Sequence, residues 1–450
     1  MVNTLFLPEL REMLQLGQET DLREFCVTLN AGRTAEFMEG LEDAEVWAVL
    51  QYAEPYRRAE IFGYFEEDRK LHMLTREPPE QTAELIEEIP PDDRVDLIHA
   101  LPAETVAKIL PLLPVIDRRD IERLRSYVEG TAGSLMTTDV AKLAERFTAR
   151  EALEELGRRA SDLETIYYLY VVDDNNLLRG IVSARQLVSA LSNTTKTLGD
   201  LMETDVVVAL VGEDQESVAE KVERFNLLAI PVVDSGRQLL GIITHDDVID
   251  VVREELTEDA QRIAAVAPLE DDFLRIGLFK LSYKRGIWLT ILFFAALLTA
   301  FALRAYEDEL AAFAWLVWFI PLIISAGGNS GSQSATLVIT AMTGGEVKNS
   351  DLPRVLSREF AVSLLLGGFL ALIGFLVALA IAPTAWAALV IPFTLLSVIF
   401  CGCMCGVTLP ILFKRMGLDP ALMSNPFVAG IVDILGIVIY INVARVLLGG

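Results

Sequence analysis

The chain has 450 residues and a formal net charge of −26, and the acidity is confined to one stretch: residues 1–285 carry 56 acidic against 31 basic side chains, residues 286–450 only 8 against 7. Such an acidic soluble part argues against nucleic acid as a partner, since phosphate is bound by basic surfaces. The three histidines, His72, His99 and His245, lie far apart in sequence with no evident nucleophile beside them, which ranks catalysis last among the function classes.

The start, MVNTLFLPELREM, lacks the basic stretch and apolar core of a cleaved leader and is expected to stay in the cytosol. From there to residue 129 the chain is a string of short amphipathic segments punctuated by proline, as in EEIPPDDRVDLIHALPAETVAKILPLLP from Glu87 to Pro114. Leu97, Ile98 and Leu101 recur at helical spacing, and Pro90, Pro91 and Pro102 stand where proline favours a helix start. This predicts a stack of helical hairpins.

Residues 130–252 contain a duplication. LMTTDV (Leu135 to Val140) returns as LMETDV (Leu201 to Val206), and YVVDDNNLLRGIVS (Tyr170 to Ser183) lies over PVVDSGRQLLGIIT (Pro231 to Thr244) without a gap. Each copy reads as strand, turn, strand and helix, and this pattern resembles a pair of CBS domains. Such pairs often hold adenine nucleotides through a glycine, a Ser/Thr and an acid. The second copy has Gly241, Thr244 and Asp247, whereas the first runs Gly180, Ser183 and then Gln186 in place of the acid. Tyr168 or Tyr170 could stack a base, or either could simply belong to the core. ATP binding is therefore left open.

Residues 253–285 form a connecting segment, and residues 286–450 a membrane part. Apolar runs of spanning length fall at about 286–306, 311–341, 355–382, 386–412 and 424–448. Lys280, Lys284 and Arg285 precede the first run, Lys348, Arg354 and Arg358 separate the second from the third, and Lys414 and Arg415 follow the fourth. By the positive-inside rule the N-terminal part is cytosolic and the C-terminus outside, in a cytoplasmic membrane. Cys401, Cys403 and Cys405 advance by about 200° per pair on a helix and cannot all face one metal, so they read as packing residues. Cys26 has no evident partner, and no disulfide framework is implied.

Two membrane segments carry chemistry. PLIISAGGNSGSQSATLVITAM (Pro321 to Met342) sets amides and hydroxyls at membrane depth, where an unpartnered amide costs several kcal/mol. Small residues also ease helix packing, but Asn329 and Gln333, four apart on one face, favour a wet lining. In LDPALMSNPFVAGIVD (Leu418 to Asp433), Asn425 and Pro426 interrupt the approach to the last run, and Asp433 is its lone acid. A carboxylate near the middle of a span costs about 2.5–3.5 kcal/mol and normally faces water or a cation. Carbonyls, an amide and a carboxylate suit a hard cation; a pore with few direct ligands fits Mg²⁺, which sheds its water reluctantly, better than a dense cage would, and the sequence leaves Ca²⁺ and Mn²⁺ open as well.

These two motifs, with the helical and CBS parts in the same order, closely resemble the MgtE family of magnesium channels. The resemblance implies a multidomain α-helical membrane protein: a superhelical N domain, an α/β CBS pair, a connecting plug helix and a five-helix transmembrane domain. It implies a homodimer, with lipid around it and the pore between protomers. Asp433 matches the pore carboxylate and Asp419 a second acid at the cytosolic end of the last span. In the soluble part the resemblance nominates Glu60, Asp92 and Asp96 as Mg²⁺ ligands, with Asp214, Glu216, Asp247, Asp250, Glu255, Glu258 and Asp259 as partners. Asn226 departs from the family, which has an acid there.

The residues themselves suggest why ions would matter. In HDDVIDVVREELTEDA, Asp247, Asp250, Glu254 and Glu258 share a helix face, and like charges at that spacing destabilise a helix by about 0.2–0.5 kcal/mol per pair. Bound Mg²⁺ reverses that sign, which predicts a pore closed by cytosolic Mg²⁺. The competing readings are a membrane-anchored nucleotide sensor without conduction, a channel preferring Mn²⁺ or Co²⁺, and a CBS-regulated anion channel; the last finds no Lys or Arg in mid-span to support it.

Overall fold

The computed structural model describes residues 6–160, 163–191, 196–269, 273–274, 276–347 and 349–449; Lys348 lies outside them. It divides into two compact units, Met1–Val252 and Arg253–Gly450.

In the first unit, short helices follow one another from Leu7–Leu16 to Val115–Leu124. Proline sets several of their starts: Pro55, Pro79 and Pro91 open helices, and Pro90, Pro102 and Pro114 sit one position before them. A proline there loses no helical hydrogen bond and presets the backbone angle. Phe62, Leu74, Ile86 and Ile98 are buried in one continuous core beneath these helices.

The duplication folds as two matching sheets. In the first copy, β1 (Lys142–Ala144) runs parallel to β2 (Tyr168–Val172), which pairs antiparallel with β3 (Leu178–Ser183). In the second, β4 (Ala209–Leu210), β5 (Ala229–Val233) and β6 (Leu239–Thr244) repeat that order. The repeated Leu-Met segments cross between copies: Thr137 bridges to Ile242, and Glu203 to Ile181. A Cβ on Gly241 would stand 2.5 Å from the Thr137 carbonyl oxygen, and one on Gly180 2.7 Å from that of Glu203. Glycine is repeated in both copies because each strand must let the other copy's backbone in.

The helix that closes the second copy runs unbroken from His245 to Ile263, past the expected boundary at residue 253. No glycine or proline interrupts it before Pro268.

Among its described residues the second unit contains five helices long and apolar enough to cross a membrane. The first span, Leu278–Ala305, begins earlier than expected and takes Lys280, Lys284 and Arg285 into its opening turns. Their long stems can lie along an apolar surface while the charges stay at its edge. The second, Ile320–Thr343, starts later than expected, because a short helix (Glu307–Ala312) and a 3₁₀ turn (Ala314–Phe319) precede it and Pro321 sits in its first turn. The third is Leu352–Ile381, the fourth Val390–Arg415 and the fifth Asn425–Leu448.

The second and fourth spans approach almost backbone to backbone. A Cβ on Gly406 would fall 2.2 Å from the Gly331 carbonyl oxygen, and one on Gly402 2.6 Å from that of Gly327. Gly368 on the third span has nothing within 4 Å of a built Cβ. Replacing Gly406 with Ala should therefore cost at least the roughly 1–3 kcal/mol typical of overpacking, while Gly368→Ala should be neutral or slightly stabilising. Thermal unfolding of the two purified variants, side by side, checks this.

Candidate ion path and acidic cleft

Asp433 is the ninth residue of the fifth span and half-buried. Its carboxylate rests against the second span where that helix has no side chain: a Cβ built on Gly328 would lie 3.1 Å from Asp433 Oδ1. Asn425, the first residue of the same helix, is held by the second span's hydroxyls. The Ser332 hydroxyl donates to its carbonyl oxygen at 3.0 Å, and the Thr336 hydroxyl to its side-chain oxygen at 3.0 Å. Eight residues of helix separate Asn425 from Asp433 by about 12 Å, so one ion cannot touch both. They stand at two separate levels of the helix and do not form one cage. Asn329 is exposed on the second span, its amide donating to the Ser325 hydroxyl at 3.2 Å, and Gln333 is exposed one turn on.

Ahead of the fifth span, Asp419 caps the 3₁₀ turn Pro420–Leu422, accepting the Ala421 N–H at 2.7 Å, and pairs with Arg262 at 2.6 Å. Arg262 also pairs with Glu258 at 2.6 Å, so one guanidinium joins two of the expected acids. Asp259 beside them has its carboxyl raised, by burial first and then by the charges of Asp419 and Glu255. Arg262 was not among the sequence candidates. A base in an acid run gives no sign of its partner when that partner lies 157 residues away.

The other candidates gather in the first unit, around a cleft of about 910 Å³ between the helical domain and the CBS pair. Among the described residues thirteen carboxylates line it against two cationic side chains, Lys70 and Arg94, and Arg94 is already paired with Asp117 at 2.9 Å. Like charge therefore dominates. Glu60, Asp96, Asp247 and Asp250, all expected, are joined by Asp93, Glu164 and Asp246, which were not. Glu60 pairs with Arg57 at 2.6 Å. Asp92 is half-buried, and its solvent-shielded Oδ1 lacks a hydrogen-bond partner. Glu164 sits in the irregular stretch before β2, where sequence periodicity says nothing about position.

Burial, and then neighbouring carboxylates, push Asp92 well above its ordinary value. The same causes raise Asp96 to about 6 and Glu164 to about 7. Burial also lifts Asp247 to about 6, although its carboxylate accepts the Thr244 hydroxyl and N–H. Among the described residues no three acid, histidine or cysteine side chains converge tightly enough to hold an ion directly.

Asp214 and Glu216 are exposed at the start of the helix Gln215–Phe225, where the Asp214 carboxylate accepts the Glu216 N–H at 3.0 Å; neither lines the cleft. Asn226 ends that helix at a φ of 50°, a left-handed position that asparagine tolerates. In the CBS pair, Gln186 accepts from the Ser183 N–H and hydroxyl at 2.7 and 2.8 Å, the capping arrangement that Asp247 makes with Thr244. Tyr170 is 1% exposed within the core between the copies, which closes its ring to a ligand, whereas Tyr168 is half-buried.

Five apolar helices among the described residues, with a carboxylate between two of them, together with an acid-lined first unit, define a membrane transport protein for cations. Residues 320–443 match the MgtE family described as a divalent cation transporter, residues 29–130 the MgtE intracellular N domain, and residues 132–193 and 198–254 the CBS domain. The magnesium transporter MgtE of Enterococcus faecalis is 35% identical, over 97% of this chain and 95% of its own. That of Thermus thermophilus is 37% identical over 75% of this chain and 74% of its own. A crystal structure of the soluble part of a magnesium transporter superimposes with a TM-score of 0.52 at 34% identity, covering 55% of this chain and 97% of that one. The chain belongs to the MgtE family.

The raised carboxyls fix a pH dependence. Each holds its proton to a higher pH in the folded cleft than in the unfolded chain. The folded state is thus penalised fully above about pH 7, and the penalty fades as pH falls towards the ordinary values near 4. In divalent-free buffer the soluble unit should melt higher at pH 6 than at pH 8. The double substitution Asp96→Asn with Glu164→Gln should flatten that difference, as read by calorimetry on the full chain.

Proposed function

We propose that this protein is a homodimeric channel that takes up Mg²⁺ across the cytoplasmic membrane and is closed by Mg²⁺ on its cytosolic side. The observation that carries this reading is Asp433, a carboxylate set against the bare backbone of Gly328 inside the membrane unit. An unpaired charge there costs about 2.5–3.5 kcal/mol on insertion scales, a cost that a passing hydrated cation offsets. The exposed polar strip of Ser325, Asn329 and Gln333 supports a second protomer with water between the two, since lipid cannot satisfy amides and hydroxyls. The N-terminal part is cytosolic and the C-terminus outside.

Closure works through charge. Two carboxylates about 6 Å apart repel by about 3 kcal/mol at an effective dielectric of 20, so the cleft is strained until divalent ions enter it. Those ions bridge Glu60, Asp92 and Asp96 to Asp247 and Asp250, while others bind at Glu255, Glu258, Asp259 and Asp419. The helix His245–Ile263 carries acids of both groups and transmits the state of the cleft to the membrane unit. A swing of the gate from 1:99 to 99:1 takes about 5.5 kcal/mol, within reach of several weakly bound ions together. ATP at the CBS pair would engage the second copy, where Thr244 and Asp247 keep the hydroxyl and acid together.

The test is Mg²⁺ flux into liposomes with Mg²⁺ on the cytosolic face stepped from micromolar to about 10 mM, a range set by weak oxygen-ligand sites. Asp433→Ala should lower flux at least about tenfold, equivalent to about 1.4 kcal/mol. Wild-type flux should fall as the cytosolic face fills, and Asp92→Asn with Asp247→Asn should keep the channel open at concentrations that close the wild type. Absence of flux at every concentration would favour a non-conducting sensor instead.

A further inference from the structure

The third span contains an acid that the ion path does not use. Glu359 is the eighth residue of the helix Leu352–Ile381 and is half-buried. It accepts a hydrogen bond from the Ser334 hydroxyl of the second span at 2.8 Å. Ser334 is 4% exposed, and the fourth span packs directly against it, where a Cβ on Gly406 would touch the serine side chain. Three spans therefore meet at one buried polar junction. No ion pair to Glu359 occurs among the described residues. A carboxylate inside a span is costly and is retained where it serves a function.

The position of Ser334 on its helix says what that function is. Gly328, Ser332 and Thr336 form the face of the second span that meets Asp433 and Asn425. At about 100° per residue, Ser334 lies about 200° round from Ser332 and about 160° from Thr336, on the opposite side. Around the serine the helix packs with little tolerance, since a Cβ on Gly406 would stand 3.0 Å from the Ser334 Cβ. The geometry points to Glu359 as a positioning residue for conduction: its bond to Ser334 fixes the axial rotation of the second span and so aims the Gly328 face at Asp433.

This inference rests on the ion path proposed above, and it separates from it in the test. Full-length protein in liposomes, with melting temperature recorded for every variant, would be assayed for Mg²⁺ flux and for Mg²⁺ over Ca²⁺ preference. Glu359→Ala and Ser334→Ala should each lower flux about tenfold and reduce the preference. Together they should do no worse than the poorer single variant, because they remove one shared bond. Glu359→Gln, which keeps an acceptor oxygen without the charge, should retain flux within about twofold of wild type.

A cysteine introduced by Asn329→Cys gives a readout that does not depend on flux: its labelling by a water-soluble thiol reagent, above the native background, should change severalfold with Glu359→Ala and not with Glu359→Gln. Unchanged labelling and flux in Glu359→Ala would overturn the inference. So would a Glu359→Gln variant as inactive as Glu359→Ala beside a fully active Ser334→Ala, since the charge and not the bond would then be at work. If instead Asp433→Ala conducts normally, the ion path is wrong, and the labelling result still decides whether Glu359 holds the helix.

Discussion

How closely the second span lies against its neighbours is the constraint on which the membrane unit depends. Gly327 and Gly331 meet Gly402 and Gly406 of the fourth span with no room for a side chain between the backbones. Gly328, next to Gly327, offers the same bareness to the fifth span, and Asp433 occupies it. In a bilayer no hydrophobic drive pulls helices together, so close packing and interhelical hydrogen bonds must do so. The hydroxyls of Ser332, Thr336 and Ser334 supply those bonds at the margins of the glycine contact, two to Asn425 and one to Glu359. A wider separation would leave these polar groups without partners.

The soluble unit is built on the opposite principle. Its helical domain has a continuous apolar core and its CBS copies interlock through their repeated glycines, yet the cleft between them concentrates negative charge. The raised values of Asp96, Asp247 and Glu164 express that conflict. On the proposed gating, that cleft is the seam where divalent ions hold the soluble unit together and where it comes apart, without unfolding, when they leave.

Much of this was legible in sequence because it depends on local pattern. Proline spacing marked the helical repeats, an ungapped repeat marked the paired sheets, and five apolar runs marked the spans. Some helix ends depart from the ends of the apolar runs. The first span begins at Leu278 because lysine and arginine can extend from a helix that continues beneath them, and the second is delayed to Ile320 because Pro321 sets its start. Asp433 and Asn425 could be named from composition alone, since a polar residue in an apolar run stands out wherever it packs.

Pairings across the fold were not legible. Glu164, Asp93 and Asp246 look like ordinary acids in an acidic chain until the fold brings them to one cleft. Arg262 looks like a surface base until it reaches Asp419, and Glu359 like the edge of a span until it meets Ser334. Tyr170 shows the converse, a residue of the expected chemical type that packing has closed off. The sequence by itself determined which segments are helical, duplicated or membrane-spanning, because hydrophobic periodicity and backbone preference act over a few residues. Only the tertiary structure decided which charges face one another, because electrostatic and hydrogen-bond energies depend on distances in space that chain separation does not encode.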